Sequence, residues 1–165
     1  MLGTIFELIG IVLNPIGFVL DIIKESVVPR NGAIVFCKIG PLEHSGVYIS
    51  SYRQILHRNR YGDIELVPPE VFTWNDGDTI FVSCHDSESI ESSRTANRAL
   101  AHYQSAFWEP YDIIKSNCHT LVANCVTAEN ENLAFTFFML EVELRLSTGH
   151  NNWRMWKTDD GSYLY

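Results

Sequence analysis

The chain has 165 residues, 46% of them hydrophobic and 19% charged, which supports one globular domain with a sizeable core and excludes a disordered chain. Its 12 Lys and Arg stand against 20 Asp and Glu, a formal net charge of -8, and the scattered basic residues exclude a nucleic-acid partner, whose phosphates need clustered cations. Cys37, Cys84, Cys118 and Cys125 show no C-x-x-C spacing, and a domain of this size needs no disulfide framework, so reduced thiols are expected.

Residues 1–28 open with the apolar run MLGTIFELIGIVLNPIGFVLDII. No basic residue precedes the run and no small-residue cleavage site follows it, which argues against a secretory signal. Its length is near the ~20 residues of a spanning helix, but Glu7, Asn14, Pro15 and Asp21 interrupt it. Gly3, Gly10 and Gly17 recur in step with Glu7, Asn14 and Asp21, so on a helix they form one small-and-polar stripe. The expectation is an apolar helical segment, bent at Asn14-Pro15, that lies on a membrane or packs on its own domain or a second copy. A cytoplasmic or membrane-peripheral location follows, with export by a specialised secretion route as the alternative.

After the turn signal Pro29-Arg30-Asn31-Gly32 the pattern becomes extended. Ala33 to Cys37, His44 to Ser50, Gln54 to His57, Ile64 to Val67 and Thr79 to Cys84 are predicted strands, with Asn75-Asp76-Gly77-Asp78 as a turn. From Asp86, taken as N-cap, Ala96, Ala99, Leu100, Tyr103, Ala106 and Phe107 share one helical face until Glu109-Pro110. A shorter helix begins near Ser116-Asn117 and carries Cys118, Leu121, Val122 and Cys125. The stretch from Asn132 to Ser147 fits a helix at its start and a strand at Leu140 to Leu146, and no element is assigned to the tail 148–165. The fold class is therefore α+β, a small, mostly antiparallel sheet packed against helices over residues 31–147.

Chemistry concentrates at a strand His, His44-Ser45-Gly46-Val47-Tyr48-Ile49, and a Cys at a predicted helix start, Ser116-Asn117-Cys118. A helix N-terminus offers unpaired N–H groups and positive partial charge, which lower a thiol's pKa, and Cys118 is the candidate nucleophile. His44 is its candidate base. His57, thirteen residues on, reaches the same face if the two strands form a hairpin, and would orient His44. Backbone N–H groups at the start of the Cys118 helix would meet an oxyanion, assisted by Tyr48 or Asn117. Taken singly, a Cys at a helix start or a His on a strand is more often structural. Cys37, Cys84, Cys125, His85, His102 and His150 take that reading. His119 is a rival base, but neighbours on a helix point about 100° apart. Cys118, His119 and Cys125 lack zinc spacing, and no metal or cofactor is expected.

A strand-borne H-x-G-x-Y-I, a second His a dozen residues later, a long helix and then Asn117-Cys118 opening another helix resemble the lecithin retinol acyltransferase-like family. That family includes the phospholipase A/acyltransferases and belongs to the permuted NlpC/P60 group of papain-like thiol enzymes. Asn31 to Phe36 resembles its opening strand, and the likeness spans roughly Asn31 to Val126. The resemblance implies a papain-like fold and a Cys118-His44-His57 triad that takes an acyl group as a thioester. The chain departs from the family in having His119-Thr120-Leu121 after the cysteine and Ala33 in place of an Asp.

Three function classes follow. The first is a thiol acyl hydrolase or acyltransferase acting on a lipid acyl ester. The second is an amidase or endopeptidase cutting peptidoglycan peptides, including one delivered as a toxin. The third is a non-catalytic binding or assembly module with a vestigial triad.

Overall fold

The computed structural model describes residues 22–74, 79–105 and 108–157. The chain order is β1 (Ile22–Val27), β2 (Ile34–Ile39), β3 (Leu42–Ile49), β4 (Gln54–Arg58), β5 (Ile64–Val67), α1 (Pro69–Phe72), β6 (Phe81–His85), β7 (Glu88–Ser89), α2 (Ser93–Gln104), α3 (Cys118–Thr127), α4 (Phe137–Thr148) and β8 (Asn152–Trp156). One mixed sheet runs β1-β8-β6-β2-β3-β4-β5, with β7 on β6. Its pairs are antiparallel except β1 with β8. The protein is thus α+β.

Both faces of the sheet are covered, which explains why the central strands read as near-continuous apolar runs. Ile34, Phe36, Val47, Ile49 and Leu56 pack with Leu121, Val122, Leu140, Leu144 and Trp153 beneath the helices. On the opposite face Val35, Cys37, Tyr48, Ile55, Phe72, Val82 and Trp156 form a second core.

Several expectations change. Ile22–Val27 is a strand, not the end of a helical segment, because its backbone is completed by β8; residues 1–21 lie outside the described residues. The sheet contains a parallel pair and is larger than the small antiparallel one expected, since Asn152–Trp156, in the tail left without an element, fills the place between β1 and β6. Asp86 caps no helix: it sits in the β6–β7 turn with φ 53°, and Ser92 caps α2 by accepting from Thr95 N–H at 3.2 Å. The open stretch after Asn132 is helical from Phe137, capped by Thr136. No helix among the described residues is long and apolar enough to cross a membrane.

Candidate active site

The β3–β4 hairpin brings the two predicted histidines together. Val47, Tyr48 and Ile49 pair with Leu56, Ile55 and Gln54, and His44 Nε2 lies 2.8 Å from His57 Nδ1. The rings are perpendicular, and Phe72 packs on both, at 4.8 Å from His44 and 5.4 Å from His57. Gly46 makes room for this aromatic wall: a Cβ there would stand 2.5 Å from Ile55 Cγ2 and 3.1 Å from Phe72 Cε2. Glu65, the cross-strand partner of His57, places Oε1 3.2 Å from His57 Nε2. Burial, then the neighbouring His57 and His119 rings, hold the His44 imidazole well below its usual 6.5, so it is neutral at pH 7.

Cys118 is the first residue of α3, as expected, because Asn117 caps that helix. Asn117 Oδ1 accepts from Thr120 N–H at 2.9 Å, and Thr120 Oγ1 accepts from Asn117 N–H at 3.0 Å, a reciprocal capping box. The sulfur is turned toward the N–H and hydroxyl of Ser45 and the N–H groups of His119 and Cys118 itself. Those donors favour a thiolate, yet burial outweighs them and pushes the thiol above its usual 9.0. The depressed pKa expected from the helix terminus is therefore not found: Cys118 is only 3% exposed, and desolvation disfavours the charged form. Tyr111 stands beside the sulfur, its hydroxyl pushed up to about 12 by burial and by that sulfur. The Arg58 guanidinium is also close, held by Ser116 and by Glu109 at 3.5 Å.

The imidazole nearest the sulfur is His119, whose Nδ1 is 3.8 Å from Cys118 Sγ and 2.8 Å from Ser45 Oγ. Although neighbouring residues on α3 point about 100° apart, the His119 ring bonds Ser45, which itself faces the sulfur. Burial lowers His119 to about 4, only partly opposed by a hydrogen bond to the Glu43 carbonyl, so it too is neutral.

The sheet divides these groups. His44 pairs across from Cys37 and Ser45 from Phe36; Cys37 belongs to the second core and Phe36 to the helix-side core. Strand alternation therefore puts the His44, His57 and Glu65 side chains on the face away from α3, and Ser45 on the face toward it. No hydrogen bond joins Cys118 to His44. The β3–β4 ladder ends at Val47 and Leu56. Tyr48 N–H points to β2, bonding Ala33 O at 2.9 Å, so Ser45 N–H, three residues back, points the other way. Its acceptor is the Cys118 sulfur in place of a β4 carbonyl. The thiol thus lies against the Ser45 backbone on the α3 side of β3, with the His44 and His57 side chains on the other side.

The two assisting residues do not serve the sulfur. Tyr48 packs against Trp156 at 4.9 Å in the second core. Asn117 spends its amide N–H groups on the carbonyls of Ile113 at 2.7 Å and Phe135 at 2.8 Å, which leaves none for an oxyanion. Sequence reasoning does not single out Ser45, Glu65 or Phe72, and it names His119 only as a rival base. Glu65 alone carried a signal, an acid at the inward position of the strand beside His57. Among the described residues no three His, Cys, Asp or Glu side chains are placed to hold a metal ion.

Comparison of the chain with protein-family models, with curated proteins and with solved structures finds no match.

Proposed function

We propose that the protein is a thiol acyl hydrolase or acyltransferase with a papain-like arrangement, as its resemblance to the lecithin retinol acyltransferase-like family implies. Cys118 is the nucleophile, His44 the base and His57 its orienter. The observation that carries this reading is the His44–His57 pair at 2.8 Å, which occupies His44 Nε2 and leaves Nδ1 without a hydrogen bond to any described residue. A neutral imidazole with one nitrogen committed and the other free is what a general base requires.

The reaction requires the Cys118 side chain to leave Ser45 and meet His44 across β3; Sγ–H then passes its proton to His44 Nδ1, and the sulfur attacks the acyl carbon. The N–H groups at the start of α3 meet the oxyanion. Collapse breaks the bond to the leaving group, which takes the proton from His44, and leaves a thioester. Water or an acyl acceptor gives a proton to His44, attacks the thioester and restores the thiol. The rim favours an apolar acyl group over a peptide: Trp74, 43% exposed, lies 6.2 Å from the His44 ring, and Tyr111 is 38% exposed beside the sulfur.

Intact-mass measurement after exposure to an activated lipid ester and to a peptide amide tests this. An acyl adduct on Cys118, absent from Cys118→Ala and from His44→Ala, is expected. A second reading, the non-catalytic module, is favoured by the burial and raised pKa of the thiol. Its signature is slow, equal labelling that His44→Ala leaves unchanged.

A further inference from the structure

We infer that Glu65 is a positioning residue that sets the proton polarity of the histidine pair and so determines which nitrogen of His44 is the base. The inference rests on the thiol-acyl reading for its catalytic consequence, and on geometry alone for the polarity.

The three groups form a chain across adjacent strands, Glu65 on β5, His57 on β4 and His44 on β3. With one proton on each imidazole, two arrangements are open. In the first, His57 carries its proton on Nε2, toward the carboxylate 3.2 Å away. Its Nδ1 is then a lone pair, His44 must donate from Nε2 across the 2.8 Å contact, and the basic lone pair of His44 lies on Nδ1. In the second, His57 Nδ1 donates to His44 Nε2. A lone pair on His57 Nε2 then faces the Glu65 carboxylate, and His44 carries its proton on Nδ1, where it can accept none. Only the first arrangement gives a base at the open nitrogen, and only the first is attractive at the carboxylate.

Three observations hold the chain in place. His57 is 1% exposed and its Nε2 is buried, so water does not replace the carboxylate. Glu65 Oε1 is the one polar side-chain atom that approaches that nitrogen among the described residues, and it does so off the N–H axis, which a small carboxylate rotation corrects. Phe72, packed on both rings, resists the flip that would exchange their nitrogens. The neighbouring His57 and then Asn59, opposed by burial, hold the Glu65 carboxyl below its usual range, so it is ionised at neutral pH. The other titratable groups acting on the pair come from α3: His119 is near His44 and is itself neutral.

The test uses the full chain with ¹⁵N-labelled histidine, and reads the tautomers of His44 and His57 from ring nitrogen shifts at pH 7.5. Both rings are expected as Nε2–H tautomers in the wild type and in Cys118→Ala. Glu65→Ala should mix the two forms, and Glu65→Gln, whose amide oxygen still accepts, should restore much of the wild-type pattern. In parallel, Glu65→Ala should slow acyl transfer to Cys118 by roughly tenfold in kcat with little change in KM, the scale of losing an outer hydrogen-bond partner, and should flatten the pH profile. An Nδ1–H proton on His44 in the wild type, or tautomers unaltered by Glu65→Ala, overturns the inference. If the tautomers shift as expected while no acyl adduct forms on wild-type Cys118, Glu65 keeps its role and the acyl-transfer reading falls.

Discussion

Phe72→Ala is the perturbation that couples the core to the proposed base. Phe72 is fully buried and touches both histidine rings. Truncating a core Phe to Ala costs about 3–5 kcal/mol through lost transfer energy and the cavity left behind. At about 2–4 °C per kcal/mol for a domain of this size, the melting temperature should fall by about 6–20 °C. The same change admits water beside His44. Because burial is the first cause holding that imidazole below 6.5, its titration midpoint should rise toward 6.5. Phe72→Leu should lose less stability and move the midpoint less. Calorimetry gives the first quantity and an NMR titration of the His44 ring the second. A large loss of stability with no movement of the His44 midpoint would refute the claim that Phe72 shields the base from water.

Acid should destabilise the fold through His119. With a folded value near 4 against 6.5 unfolded, the unfolded chain binds the extra proton between those limits. Stability present above pH 6.5 is therefore lost as pH falls toward 4, by on the order of 3 kcal/mol. Urea unfolding at pH 7.5 and pH 5 should show the slope, and His119→Gln should flatten it. Trp153→Phe removes the 2.6 Å indole bond to the buried Glu141 carboxylate, leaving it His150 at 3.4 Å; a loss of about 1–3 kcal/mol is expected in denaturant titration. Ser45→Ala takes one donor from the Cys118 sulfur, so the pH midpoint of its alkylation should move further up; a downward shift would contradict the assigned contacts. Gly62→Ala places a Cβ 2.1 Å from the Glu109 carbonyl at φ 96°, so it should lower the melting temperature and change Cys118 alkylation by displacing the segment that carries Tyr111.

Local pattern determined much of this protein. Short apolar or alternating runs marked β2 to β6, and the side-chain oxygen of Asn117 marked the start of the Cys118 helix, since a cap is satisfied within four residues of chain. The parity of two hairpin strands was enough to bring His44 and His57 to one face. Other features needed partners far away in sequence. Asn152–Trp156 is buried on both sides and shows no alternation, so its strand exists through β1 and β6. Leu140 to Leu146 alternates like a strand, yet the helix buries Leu140 and Leu144 and leaves Leu146 79% exposed, because the helix-side core accepts one stripe only. Asp86 and Ser92 are both good caps by chemistry, and the β6–β7 turn claimed the first. The relation of Cys118 to His44 lay furthest from the sequence. Parity tells which strand residues share a face, but the face on which α3 packs is set by the whole core, and that choice put the thiol among Ser45, His119 and Tyr111.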